Sequence, residues 1–315
     1  MSLLVVGTVA YDSVSTKSGH RQNAPGGSAF YFSISSSFFA KTSLIGVVGT
    51  DYSEKYFSML KKSGVNIDGL EKINGETFRW SGKYHDDDFN QRETLATHLN
   101  VLENFNPILN NSHQESKYLF LANIDPKIQT QVLDQMKNKP KMVALDTMNF
   151  WIDDHQDNLS SVIENVDIIF MDETEIKSFT KKDNIITAAQ FVRDLGPRIV
   201  IVKKGEHGSI MFNEGDIFNA PAFPIEQVID PTGAGDCFAG GFMGYLSGCD
   251  DISPQSLRKA LISASVMGSF AVEGFSTEKL SKITHMDIED RFRGLHGMTY
   301  FDPLKNNESL PKRVS

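Results

Sequence analysis

Residues 166–175 read Val166-Asp167-Ile168-Ile169-Phe170-Met171-Asp172-Glu173-Thr174-Glu175. The apolar run is of strand length, and it is apolar at odd and even positions alike, so both faces of that strand must be covered. It stops on a cluster of acids, and acids in a first turn suit the positive end of a helix dipole. A buried strand running straight into a helix is the repeating unit of a parallel sheet. The same pattern recurs along the chain, with strands read at 3–9, 43–49, 118–124, 142–146 and 198–203. Between them lie helical stretches at 53–62 (Ser53 a plausible N-cap), 126–137, 154–164 and 185–195. Phe30, Ile34 and Phe38, four apart, put three large apolar side chains on one face of an early helix. The expected fold class is α/β, with a mainly parallel central sheet covered by helices on both faces.

One block breaks the rhythm. Residues 76–84 alternate as a strand does, Asp86-Asp87-Asp88 follow, and a second strand is read at 93–99. This is expected to be a small antiparallel excursion, too small to bury a core of its own, so it must pack on the body, a partner chain or a ligand. Two long helices are read at 233–246 and 254–271, and the polar end, 305–315, is expected to fray.

The 315 residues are 40% hydrophobic and 23% charged, which excludes wholesale disorder. Lys and Arg number 31 against 40 Asp and Glu, a net charge of −9. Such a surface repels phosphate backbones and anionic lipid, so neither nucleic acid nor membrane is an expected partner. A local anion site is still allowed, because a helix N-terminus holds phosphate without net basic charge. Two cysteines, Cys237 and Cys249, make neither a disulfide framework nor a zinc site and suit a reducing cytoplasm. No apolar run has the length of a membrane span, and the apolar start lacks the basic region of a signal peptide.

The strongest chemical signal is Asp230-Pro231-Thr232-Gly233-Ala234-Gly235-Asp236, a tight turn opening a helix. Small residues there let a ligand approach backbone N–H groups aimed at it, and the dipole favours an anion. A carboxylate beside that site, Asp236, is unfavourable unless it takes a proton from an attacking hydroxyl or holds Mg²⁺; the plain alternative is a solvated first-turn acid. Gly26-Gly27-Ser28 opens the early helix, for which an ordinary loop-to-helix turn is the bland reading. Asp12 follows the first strand, outside a carboxyl end, where ligands of such sheets bind. Asp172, Glu173 and Glu175 at another carboxyl end suit a hard cation held through oxygen or water, or merely a helix start. Val202 to Gly208 reads as a hairpin at a third carboxyl end. No Walker loop, dinucleotide fingerprint, G-x-S-x-G or H-E-x-x-H occurs.

In order and spacing, Gly26-Gly27 and the 230–236 motif resemble the two signatures of the ribokinase-like, or PfkB, carbohydrate kinases. Gly7 to Asp12, the acids at 172–175 and Val202 to Gly208 fall in that family's order, and the resemblance reaches about Phe275. It implies an ATP- and Mg²⁺-dependent transfer of phosphoryl to a hydroxymethyl group of a sugar or sugar-like small molecule. The odd block becomes a β-sheet lid formed by about 10–25 and 76–99 on one kinase domain, 1–300, with a polar tail, 301–315. By the resemblance, Asp236 matches the catalytic base, and Gly233, Ala234 and Gly235 the anion hole. Asp12, Gly26 and Gly27 match acceptor-binding positions. Lys203, Gly205 and Gly208 match the nucleotide-side turn, and Ala264 with its neighbours borders the adenine. Glu175 and Asp172 would act on Mg²⁺ through water, and Asp230 and Thr232 sit where many relatives bind a monovalent cation such as K⁺.

Three departures stand out. The family's Asn-x-x-Glu is here Asp172-Glu173-Thr174-Glu175, and Asp cannot donate the hydrogen bonds that Asn can. Ser28 follows the glycine pair where ribokinases proper carry Lys. The lid segment Phe78 to Tyr84 is also bulkier and more basic than a ribose lid; Arg79 and Lys83 would either favour a charged acceptor or bridge lid to body. A nucleoside kinase of the same family and a catalytically weak nucleotide-binding regulator therefore stand as alternatives. Burying Phe78, Trp80 and Tyr84 against a second copy would make the lid a homodimer contact.

Overall fold

The computed structural model describes residues 2–85, 89, 91–311 and 313. The acid run Asp86 to Asp88 lies outside them. Thirteen strands occur among the described residues: β1 (Leu3–Val6), β2 (Ala10–Thr16), β3 (Gly19–Gly26), β4 (Thr42–Gly49), β5 (Asn66–Ile73), β6 (Arg79–Tyr84), β7 (Arg92–His98), β8 (Tyr118–Leu121), β9 (Met142–Asp146), β10 (Ile168–Asp172), β11 (Ile199–Lys203), β12 (Ser209–Asn213) and β13 (Asp216–Ala220).

Nine of them form one sheet in the order β13-β12-β11-β10-β9-β8-β1-β4-β5. All neighbours from β11 to β5 are parallel, and β12 and β13 add an antiparallel edge. The pleat explains the continuous apolar strands. Leu3, Val5, Phe120 and Phe170 enter one core, while Leu4, Val6, Leu121 and Ile169 enter a second on the opposite face. The first core is covered by the helices Ser28–Ser36, Ala234–Cys249 and Pro254–Ala271. Every residue of Ser28–Ser36 is buried, which is why that segment reads as apolar and small rather than amphipathic.

The excursion is a separate four-stranded sheet, β3-β2-β6-β7. Its two hairpins are antiparallel, as expected, but β2 and β6 at its centre run parallel, so the lid is a mixed sheet. The reason is the long connection: β6 returns to β2 only after β4 and β5 have been laid into the main sheet. The first strand is shorter than read, ending at Val6, and β2 already belongs to the lid. The helical stretch at 154–164 is two helices, Asn149–Asp154 and Gln156–Ile163. A final helix, His285–Thr299, was not read; after it residues 300–311 carry no helix or strand. No described helix is long and apolar enough to cross a membrane.

Candidate active site

The 230–236 turn lies where the expectation put it, at the start of the helix Ala234–Cys249. Gly233 has φ 75°, and a Cβ there would come 2.5 Å from Cγ of the Tyr31 ring. Both reasons demand glycine, and together they hold the turn flat against the early helix. Asp230, 2% exposed, ties the turn to its surroundings. Its Oδ1 accepts from the Thr232 N–H at 2.9 Å and its Oδ2 from the Ser276 N–H at 3.2 Å. The Thr232 hydroxyl donates to the Tyr84 hydroxyl of the lid at 3.3 Å. Tyr84 is thus buried against its own chain, which removes it from the expected contact with a second copy.

Asp236 occupies the first helical turn and stays partly open. Its carboxylate accepts no hydrogen bond from a described side chain. Burial, then the nearby Asp146, push its pKa to about 7; Asp12 adds to the rise, and Lys203 and Arg92 oppose it. Asp146, which ends β9, is not among the residues the sequence motifs point to. Lys203, ending β11, brings its Nζ within 3.0 Å and 3.2 Å of the two Asp146 carboxylate oxygens. Burial alone would lower Lys203, but Asp146 and Glu175 more than reverse it and keep the ammonium charged. That ammonium would lie 3.3 Å from a Cβ on Gly235, so Lys203 and the turn form one cradle. Gly205 and Gly208 flank the short turn Gly205–His207 that follows β11.

Asp172 and Glu175 make a reciprocal cap on the helix Glu173–Thr180. Asp172 Oδ1 accepts from the Glu175 N–H, and Glu175 Oε2 from the Asp172 N–H, each at 2.7 Å. Capping needs only an acceptor, so Asp172 serves here as well as Asn would. The register sets Asp172 beside Lys203 across β10–β11. Glu175, 6% exposed, has its pKa raised chiefly by burial, against the pull of Lys203. Among the described residues, no three His, Cys, Asp or Glu side chains gather as a metal site.

Asp12 lies on β2, facing the body, and is 5% exposed. Its Oδ2 accepts from the Tyr31 hydroxyl at 3.3 Å, and the Gly27 N–H also bonds to it. Burial outweighs both and raises its pKa to about 7, with Asp230 adding to the rise. Gly27, φ 94°, caps the early helix beside it. Tyr31 therefore joins the two halves, with its hydroxyl on Asp12 and its ring on Gly233. In sequence it is hidden inside an apolar helical stretch. Ala264 has no exposed surface and packs in the first core.

Arg79 settles one of the two options raised for it. It pairs with Asp51 Oδ2 at 2.6 Å, donates to Asn23 Oδ1 at 2.7 Å, and lies 5.1 Å from the Tyr11 ring centre, bridging lid to body. Next to it, Trp80 is aligned with Asp12 across the parallel β2–β6 pair, which puts both on one face of the lid. Its indole covers Gly82, where a Cβ would come 2.3 Å from Cη2, and Nε1 donates to Thr94 Oγ1 at 3.3 Å. Arg92, at the start of β7, pairs in register with Tyr84.

Comparison with known proteins gives a consistent picture. The model of the pfkB family of carbohydrate kinases matches residues 2–283. The cytidine kinase of Thermococcus kodakarensis is 28% identical over 256 residues, 79% of this chain and 90% of that protein. The nucleoside kinase of Methanothermobacter thermautotrophicus is 27% identical over 294 residues, 88% of this chain and 91% of that protein. The crystal structure of the Methanocaldococcus jannaschii nucleoside kinase superposes with a TM-score of 0.74 at 20% identity, covering 93% of this chain and 98% of that one.

Proposed function

The chain belongs to the pfkB family of carbohydrate kinases, and from that premise we propose that its acceptor is a nucleoside, phosphorylated on its hydroxymethyl group by ATP. The observation that carries this reading is the alignment of Asp12 with Trp80 on one face of the lid. An ionised Asp accepts two hydroxyl hydrogen bonds from a ribose. A flat indole beside it supplies a stacking surface, worth about 1–3 kcal/mol for a base and sequence-tolerant. A free sugar would use the first group and waste the second. The cytidine and nucleoside kinases among the relatives support the same choice.

In this reading Asp236 takes the proton of the attacking hydroxyl, and the N–H groups of Gly233, Ala234, Gly235 and Asp236 hold the charge of the phosphoryl group in flight. Lys203, with the turn bearing Gly205 and Gly208, faces the nucleotide phosphates. Asp172 and Glu175 each keep a carboxylate oxygen outside their cap, and that hard-oxygen pair fits Mg²⁺ held through water. Mg²⁺, when bound, neutralises phosphate charge. The buried oxygens of Asp230 and Thr232 suit K⁺ by the same chemistry. One kinase domain over 1–300 followed by a tail, acting in the cytoplasm, agrees with two cysteines that are both free.

Phosphoryl transfer from ATP to cytidine, uridine, adenosine, inosine, ribose and fructose tests the proposal, with products weighed by mass spectrometry. At least one nucleoside should exceed ribose about tenfold in kcat/KM, and Trp80→Ala should erase that advantage while sparing turnover of ribose. A preference for a free sugar in the wild type sinks the nucleoside reading.

A further inference from the structure

The two helices that begin at the site, Ser28–Ser36 and Ala234–Cys249, run in the same direction and touch backbone to backbone. A Cβ on Gly240 would come 2.6 Å from the Phe32 carbonyl oxygen, one on Gly244 2.9 Å from Cα of Ser36, and one on Gly248 2.5 Å from the Phe39 carbonyl oxygen. These glycines recur every fourth residue, so they line one face of their helix, and along it only hydrogen fits between the chains. Two side-chain bonds cross the same seam. Ser35 Oγ donates to the Cys237 carbonyl at 2.6 Å, and Cys237 Sγ to the Tyr31 carbonyl at 3.7 Å. A contact made of backbone has no rotamers through which to yield, so the pair holds its spacing.

Tyr31, 2% exposed, stands at the head of this seam. Its two ends meet different parts of the site. The hydroxyl donates to Asp12 Oδ2 at 3.3 Å. The ring backs the anion-holding turn: a Cβ on Gly233 would come 2.5 Å from Cγ and 2.6 Å from both Cδ atoms. One side chain with a rigid plane therefore spans from the carboxylate beside Gly26 and Gly27 to the first residue of the turn. Phenylalanine would lack the donor, and an aliphatic residue both the donor and the plane.

We propose that Tyr31 is a positioning residue of phosphoryl transfer: it sets the separation between the Asp12 carboxylate and the 233–235 turn, and the glycine-lined helix pair behind it keeps that separation fixed. The inference rests on the kinase reading and holds for whichever hydroxyl compound is the acceptor. Tyr31 acts through its neighbours, through Asp12 on where the acceptor sits and through Gly233 on where the phosphoryl group is held. Transfer between two bound groups is sensitive to such spacing, a misplacement of about 1 Å costing on the order of 10²-fold. Because hydroxyl and ring act on different partners, their effects separate.

The test uses the full-length enzyme with its best acceptor. Tyr31→Phe keeps the ring and drops the bond to Asp12, so the acceptor KM should rise about tenfold, the size of one hydrogen bond to a charged group, with kcat and the ATP KM within about threefold. Tyr31→Leu drops the ring as well, so the same rise should be joined by a fall in kcat of about 10–10²-fold, the ATP KM again staying near wild type. Gly240→Ala parts the helices without touching Tyr31, Asp12 or the turn, and should lower kcat per folded molecule at least about tenfold. A crystal structure of Tyr31→Leu should show the Asp12 carboxylate and the turn displaced relative to one another by more than about 0.5 Å, the tolerance of a preorganised site. Identical kinetic patterns in Tyr31→Phe and Tyr31→Leu overturn the proposal, as does wild-type kcat in Gly240→Ala. So does a Tyr31→Leu structure in which Asp12 and the turn keep their places, a result that needs no turnover. A wild type that phosphorylates no acceptor would count against the kinase reading instead, and the crystal structure would still decide the positioning.

Discussion

The Asp12 carboxylate fills the place of the missing Gly26 side chain: a Cβ on Gly26 would come 1.9 Å from Asp12 Oδ2. An early glycine is thus required by an acid on the facing strand, to which β3 is paired. Gly26→Ala should displace Asp12 and raise the acceptor KM at least about tenfold, with the ATP KM within twofold. Asp12→Ala should do the same without strain, losing one or two charged hydrogen bonds of roughly 1.5–3 kcal/mol each. Steady-state kinetics with each substrate varied in turn is the check. An effect confined to ATP would show the two ends of the site to be reversed.

Asp236 must be ionised to accept a proton, and its pKa is lifted to about 7. The kcat/KM for the acceptor should therefore climb about tenfold per pH unit below 7 and level off above it. Asp236→Asn should flatten that limb and lower kcat by about 10²–10⁴-fold, with ATP binding retained. A mutant with wild-type turnover removes Asp236 from the chemistry.

The same group makes a stability prediction of opposite sign. Its folded pKa, about 7, exceeds the ordinary 3.8, so between those values the folded protein keeps a proton that the unfolded chain releases. Stability from this group, and from Asp12 likewise, is fullest at low pH and falls as pH rises through that window. Asp236→Asn should raise Tm at pH 7.5 by at least about 2 °C, and the gain should shrink toward pH 4. A gain that is the same at both pH values would contradict the linkage.

Lys203 balances acids that have little water to turn to, Asp146 being 4% exposed. Lys203→Met should destabilise the fold by about 3–5 kcal/mol, since it leaves a buried carboxylate alone. Adding Asp146→Asn to it should recover at least half of that loss. Denaturant unfolding of the two single variants and the double closes the cycle, and strict additivity would deny the coupling.

Glu175→Gln keeps an oxygen to accept from the Asp172 N–H, so the helix cap should survive and Tm change by less than about 2 °C. The Mg²⁺ concentration for half-maximal rate should rise several-fold, and more than the ATP KM does. An unchanged Mg²⁺ requirement would return the pair to capping alone.

Much of the fold was legible because burial on two faces leaves a plain mark in a strand. Ile168 to Met171 and Ile199 to Val202 can only lie between layers, and the helices 185–195 and 254–271 stand where their periodicity places them. The lid was legible as an interruption of that pattern, yet its parallel centre was not, since β2 and β6 are joined by 62 intervening residues and no local rule pairs them. Asp146 obeys the same rule that picked out Asp12, an acid at a carboxyl strand end, and could have been found by it. Tyr31 and Tyr84 could not, because an aromatic ring in an apolar segment reads as core until its hydroxyl is seen to meet a partner.

The sequence by itself determined which residues can bear charge or leave room. It set an acid inside an anion-holding turn, glycines where helices begin, and acceptor-only groups at strand ends, all consequences of side-chain chemistry within a few residues. Tertiary structure alone decided which of these meet. Asp12 needs a glycine at 26, the Tyr31 ring needs one at 233, Lys203 stays charged through Asp146, and Tyr84 meets Thr232. Pairings of this kind depend on how strands distant along the chain are ordered in the two sheets, and that order follows from burying both faces of the main sheet at once.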